Sequence, residues 1–198
     1  MPKMLVAKEE QVSRLFSRDY VFRIPGYQRP YAWTTEQARE LFEDLLGFLR
    51  ASTGPVSEMP PYFLGSIVLI KPDGTPDSDV VDGQQRLTTL TLLLSAIRSN
   101  LEAARAANLT TLIYEKGNDV LGTQDHFRLT LRERDREFFQ KYVQQEDGLA
   151  RLLTLGDVLP DSQNNFGITL VCLSKSCATY RVTSSLLSPS SWLRAASW

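Results

Sequence analysis

Val80-Val81-Asp82-Gly83-Gln84-Gln85-Arg86-Leu87-Thr88-Thr89-Leu90 is the stretch on which the fold turns. A β-branched run ends at Asp82. Gly83 then permits a tight turn, because it tolerates positive φ and lets another group come close to the backbone. Leu87, Leu90, Thr91, Leu94, Ile97 and Leu101 follow at helical spacing. The reading is strand, one-glycine turn, helix. A helix start exposes unpaired N–H groups at the positive end of the macrodipole, and phosphate is a natural guest there. Arg86 adds a planar guanidinium suited to phosphate oxygens. Gln84 and Gln85 add neutral donors, and Asp82 adds a carboxylate. This is neither a Walker A loop nor a dinucleotide-binding fingerprint. A plain structural strand–Gly–helix junction stands beside the phosphate cradle as the alternative.

Working outward, Phe63–Ile70 is a continuous apolar run and predicts a strand buried on both faces. Lys71–Pro76 is a turn cluster, so Val80-Val81 pairs antiparallel with residues 66–70. The helix after Gly83 extends to about residue 106 and is apolar on several sides, which predicts burial. On the N-terminal side, residues 8–17 predict a short amphipathic helix with Val12, Leu15 and Phe16 inward. Tyr20, Phe22 and Ile24 then alternate with Val21 and Arg23, which is strand spacing. Tyr27–Trp33 is an aromatic loop in which Pro30 holds Arg29 extended. Gln28 and Arg29 can reach a nucleotide from it, and Tyr27, Tyr31 or Trp33 can pack on a base; pinning to the core is the favoured reading of Tyr31 and Trp33. Thr34 and Gln37 form a capping box for a helix whose Glu36, Glu40, Glu43 and Asp44 make a solvated face. Residues 51–61 read as a Pro/Gly loop.

The block Asp82-Gly83-Gln84-Gln85-Arg86-Leu87-Thr88-Thr89-Leu90 resembles the signature of the N-terminal domain of GmrSD-type, modification-dependent restriction proteins. Ile24-Pro25-Gly26-Tyr27-Gln28-Arg29-Pro30-Tyr31-Ala32-Trp33 resembles a second block of that family, and Phe63-Leu64-Gly65-Ser66-Ile67-Val68-Leu69 a third. The three occur in order over about residues 8–105. The resemblance implies an α+β fold, with a small mixed sheet and packed helices, similar to ParB and sulfiredoxin. It implies binding and hydrolysis of a nucleoside triphosphate, with Mg²⁺, regulating modification-dependent nucleic-acid restriction in phage defence. The alternative is a non-hydrolysing nucleotide-sensing or scaffold module that partners a nuclease. The residues it assigns are Gln28, Arg29, Gly83, Gln84, Gln85 and Arg86 for the nucleotide. Asp82, Gln84, Gln85 and Arg86 are assigned to catalysis. Asp82 either caps the helix or holds Mg²⁺ through water. The implied partners are a nuclease domain or subunit and, indirectly, DNA; an oligomer is open.

Formal net charge is −1 over 198 residues, so no strong positive field points to nonspecific nucleic-acid binding. No run approaches the ~20 apolar residues of a membrane span, and the start lacks a signal-peptide core. The expectation is a cytoplasmic protein. Cys172 and Cys177 with one distant histidine make a poor zinc signal. His126, the single histidine, reads as a surface or strand-edge residue, and it leaves no candidate for an HNH-type nuclease.

The expected division is a nucleotide-binding domain over 1–106, a partial, mainly helical continuation over 107–165, and an atypical tail over 166–198. Within the second part, Thr110–Tyr114 reads as strand or loop, 126–132 as a strand burying Phe127, Leu129 and Leu131, and 135–142 as a helix. Up to Asp161 the chain carries 19 basic and 23 acidic residues, a charge of −4; beyond it come only Lys175, Arg181 and Arg194. The Ser-rich tail shows no stable period, which predicts poor order from about Phe166. Non-native sequence from a shifted reading frame and a lineage-specific extension both fit it.

Overall fold

The computed structural model describes residues 6–51, 60–156 and 159–180, together with the backbone of 196–197. Most of the expected 51–61 loop and the tail beyond 180, apart from 196–197, lie outside the described residues. The architecture is mixed α+β. A four-stranded mixed sheet runs in the order β3-β4-β1-β7, from β1 (Val21–Arg23), β3 (Val68–Ile70), β4 (Asp77–Asp82) and β7 (Leu129–Thr130). β4 and β7 flank β1 in parallel, whereas β3 pairs antiparallel with β4 through a bulge at Val68/Leu69. Two smaller ribbons join β5 (Tyr114–Glu115) to β6 (His126–Phe127), and β2 (Tyr62–Phe63) to β8 (Ala196–Ser197).

Seven α-helices are described: α1 (Val12–Leu15), α2 (Thr35–Ala51), α3 (Gln84–Arg98), α4 (Ala103–Ile113), α5 (Glu133–Phe139), α6 (Gly148–Leu153) and α7 (Asp161–Thr179). A π-helical turn, Gln140–Gln144, continues α5. α3 is the central element, packed against α4 and α7 and buried along nearly its whole length. That explains its weak amphipathicity: a helix covered on several sides has no polar face to segregate. α2 is the contrasting case. Ala38, Phe42, Leu45, Leu46 and Leu49 are buried, while Glu36, Glu40, Glu43 and Asp44 face solvent. Its capping box forms as expected: Thr34 N–H donates to Gln37 Oε1 at 2.8 Å, and Glu36 N–H donates to Thr34 Oγ1 at 3.3 Å.

Five local expectations are corrected. Phe63–Ile70 is two short strands, not one, because Gly65 takes φ +104° between them. The second of these is an edge strand with Val68 and Ile70 exposed, not a doubly buried one. The helix after Gly83 stops at Arg98 and a second begins at Ala103, with Asn100 Nδ2 donating back to Ala96 O at 2.8 Å across the break. Thr110–Ile113 is helical. In 126–132 the strand is interrupted at Arg128, which is buried against Glu115 rather than turned outward.

The largest correction concerns the tail. Residues 166–179 are not loosely packed but belong to a 19-residue helix, with Phe166, Leu170, Leu173 and Cys177 buried. Phe166 meets Tyr31, Phe138 and Phe139 in one aromatic cluster, with ring centroids 5.0, 6.5 and 5.1 Å away. The buried side chains from Val12 to Cys177 make one cluster, which crosses residues 106 and 165 without interruption.

Candidate functional site

β1 and β4 are parallel neighbours, with Arg23 opposite Asp79. Their C-terminal ends therefore emerge on the same edge of the sheet, the edge where α/β proteins place ligands. β1 feeds the Tyr27–Trp33 loop and β4 feeds the Gly83 turn. The sheet thus brings together two sequence blocks more than fifty residues apart.

At the end of β4, Gly83 adopts φ +93°, and a Cβ there would collide with the side chain of Ile67. Glycine is required on both counts, conformation and space. Gly83 is the N-cap of α3, so Asp82 stands one residue too early to cap it; no side-chain hydrogen bond closes this helix start. The first intrahelical bond runs from Leu87 N–H to Gly83 O at 3.0 Å. The main-chain N–H groups of the first turn consequently point out of the helix end, at the positive pole of a 15-residue helix. Asp82 ends β4 with its carboxylate exposed, opposite Val68.

The glutamines do something their spacing did not reveal. Gln84 and Gln85 are buried and reach across to the aromatic loop. Gln84 Nε2 donates to Arg29 O at 3.1 Å. Gln85 Nε2 donates to Pro30 O at 3.1 Å, while its Oε1 accepts from the N–H groups of Ala32 at 2.9 Å and Trp33 at 3.3 Å. Gln28 answers from the loop, donating through Nε2 to Val81 O at 2.8 Å. Three glutamine side chains thus satisfy loop and strand-end backbone groups that a loop of this shape leaves unpaired. The side-chain amides are occupied with the loop; main-chain N–H groups are what Gln84 and Gln85 present at the helix end.

Arg86 is half-buried in the first turn of α3. Its guanidinium lies directly on Gly65: a Cβ there would stand 2.5 Å from Nη1 and 2.9 Å from Cζ. The third sequence block therefore serves as a seat for this arginine, with Gly65 at φ +104° leaving the space. Gly65 and Ile67 are the site residues that reading the sequence missed. Their signal was present, a glycine inside an apolar run, which marks a break or a close approach.

Arg29 is exposed and makes no ion pair among the described residues. Tyr31 is a core residue, its hydroxyl 2.9 Å from Thr89 Oγ1. Burial pushes its phenol up to about 12, against the pull of hydrogen bonds with Thr89 and Thr169. It is neutral at ordinary pH and no base. Trp33 packs partly against the core, and Tyr27 is exposed. His126 lies exposed on β6, as expected. Among the described residues no three His, Cys, Asp or Glu side chains converge as a metal cage, and Cys172 and Cys177 are free thiols.

These blocks lie inside one family match. The model of the GmrSD restriction endonuclease, N-terminal domain, covers residues 12–167. The chain belongs to this family. Membership connects the GmrSD N-terminal domain described above with a restriction system and its nuclease function. No curated protein matches the chain. No helix among the described residues is long and apolar enough to cross a membrane.

Proposed function

We propose that this GmrSD N-terminal domain binds a nucleoside triphosphate at the start of α3 and hydrolyses it to regulate modification-dependent restriction. One observation carries the reading: Arg86, seated on Gly65, stands in the first turn of an uncapped helix at the rim shared by β1 and β4. An open helix end supplies main-chain donors, and an adjacent guanidinium supplies charge where phosphoryl oxygens gather it. In this reading Gly83 and the main-chain N–H groups of Gln84 and Gln85 hold phosphate. Arg86 neutralises the charge that develops during transfer. Arg29 closes the site from the loop, which Gln28, Gln84 and Gln85 hold in place.

Mg²⁺ would arrive with the nucleotide, coordinated by phosphate and water. Asp82, a single exposed carboxylate, suits an outer contact through water and not a protein-built cage. Kinship with ParB and sulfiredoxin, whose phosphate sites resemble this strand–turn–helix, is part of the same proposal, as is a nuclease partner that contacts the DNA.

Calorimetric titration with the four common triphosphates, with and without Mg²⁺, combined with a phosphate-release assay, tests it. Arg86→Ala should weaken binding by about 1.5–3 kcal/mol, the worth of a charge-assisted contact, in a protein that still melts cooperatively. Binding without phosphate release would assign a sensing module. No binding by the wild type to any triphosphate would leave a scaffold and overturn the proposal.

A further inference from the structure

A second concave surface shares no residue with the proposed phosphate site. It is an open cleft of about 660 Å³ between α5, the π-helical turn, α6 and the start of α7. Three cations line it, Arg134, Lys141 and Arg151, against the single carboxylate of Glu137. None of the three makes an ion pair among the described residues. Arg151 Nε is buried without a hydrogen-bond partner, while its Nη2 donates to Gln145 Oε1 at 3.1 Å.

Another basic cleft of the molecule gives the contrast. The cleft lined by Lys8, Arg14, Arg18 and Lys71 holds four cations against the one carboxylate of Asp19. There Lys8 pairs with Glu10, Arg14 with Glu10 and Asp19, and Arg18 with Glu115. In that cleft Lys71 alone lacks a carboxylate, whereas in the α5–α7 cleft none of the three cations has one among the described residues.

Its floor is built rather than incidental. A π-helical turn is rare and costs backbone regularity. This one is held from beneath by buried Arg98, which donates to the carbonyls of Gln144 at 2.7 Å, Gln145 at 2.8 Å and Val143 at 3.1 Å. Gln144 Nε2 ties the same turn to Leu129 O at 2.9 Å. The turn thereby presents Gln140, Lys141 and Tyr142 to the cleft on a fixed platform. Tyr142 packs on Phe138 with ring centroids 4.7 Å apart, and Lys141 lies over its ring at 5.0 Å.

We propose that this cleft binds a single-stranded or splayed segment of nucleic acid. Unpaired guanidinium and ammonium groups suit successive phosphates. An aromatic platform suits a base face, and the side-chain amides of Gln140 and Gln163 suit a base edge. An acidic peptide would satisfy the cations but leave the aromatic and the amides without a role. The chain's net charge of −1 makes the binding local and modest, not a property of the whole surface.

The test is fluorescence anisotropy of the full chain with a labelled twelve-nucleotide single strand across a salt series. Three phosphate contacts predict a log–log salt slope of about −2. The exposed pair Arg134→Gln and Lys141→Gln together should reduce it to about −0.7 and weaken binding at low salt. Arg14→Gln with Lys8→Gln, both ion-paired in the other cleft, should change neither. Unlabelled polyglutamate should fail to compete. No strand binding at low salt, a slope unmoved by the Arg134/Lys141 variant, or equal competition by polyglutamate would each overturn the proposal. Triphosphate titration of the same variant should match the wild type, so this result stands apart from the fate of the α3 site.

Discussion

Arg86 and Gly65 show how one residue's role can depend on another's missing side chain. The guanidinium lies where a Cβ of residue 65 would be. Gly65→Ala must therefore push Arg86 off its seat and place alanine at φ +104°, a strained conformation costing about 1–3 kcal/mol. Triphosphate affinity should fall by as much as in Arg86→Ala. In Gly65→Ala/Arg86→Ala the two losses should not add, because both remove one contact. Calorimetry on the four forms checks this; strict additivity would show that Gly65 acts independently of Arg86. The place of Arg86 in the first turn of a helix behind a glycine turn was readable from the sequence. Its seat was not, since residues 65 and 86 meet only when β3 and β4 pair.

At the scale of elements, α7 is the instructive failure. Phe166, Leu170, Leu173 and Cys177 fall at intervals of four, three and four, a helical stripe. Glycine, threonine and serine between them lower helix propensity and hide it. What makes α7 a helix is burial against α3 and α2, not its own preference. Cys177 reports on that packing. Burial pushes its thiol up to about 12, so the reactive thiolate is scarce. Cys172, one turn earlier, is partly exposed. Alkylation of the native chain at pH 8 should modify Cys172 readily and Cys177 only on unfolding, as mass spectrometry of digested protein will show. Equal rates at the two sites would mean that α7 is not docked. α2 is the opposite case, where a capping box and a clear amphipathic stripe agree and the helix was legible at both its start and its buried face.

For the molecule as a whole, stability rests on one continuous core and on a few charges buried within it. Arg128 is about 4% exposed and bonded to Glu115 at 2.9 Å, with Arg18 on the same carboxylate. Burial raises the Glu115 carboxyl, but hydrogen bonds from Arg128 and Arg18 outweigh it and leave it below the ordinary value of 4.5. A carboxyl lower in the folded state than in the unfolded one stabilises the fold above its unfolded value. That contribution disappears as pH falls through the folded value. Glu115→Gln should cost about 1.5–3 kcal/mol near pH 7, the worth of a hydrogen bond to a charged group. The gap to wild type should close in urea melts below about pH 4. A gap independent of pH would assign the loss to packing instead of charge.

The sequence by itself determined the local pieces: the glycine turn, the helix behind it, the capping box, the strand alternation of Tyr20–Ile24 and the outward histidine. Each depends on neighbours within a few residues, so spacing and residue type suffice. Tertiary structure alone decided that Gln28, Gln84 and Gln85 latch two distant blocks, that Gly65 seats Arg86, that Arg128 turns inward, and that a serine-rich segment closes the core as α7. Those outcomes depend on which surfaces meet across the parallel β1–β4 pair and around α3. Unpaired backbone groups and exposed apolar area are satisfied there by partners from far along the chain.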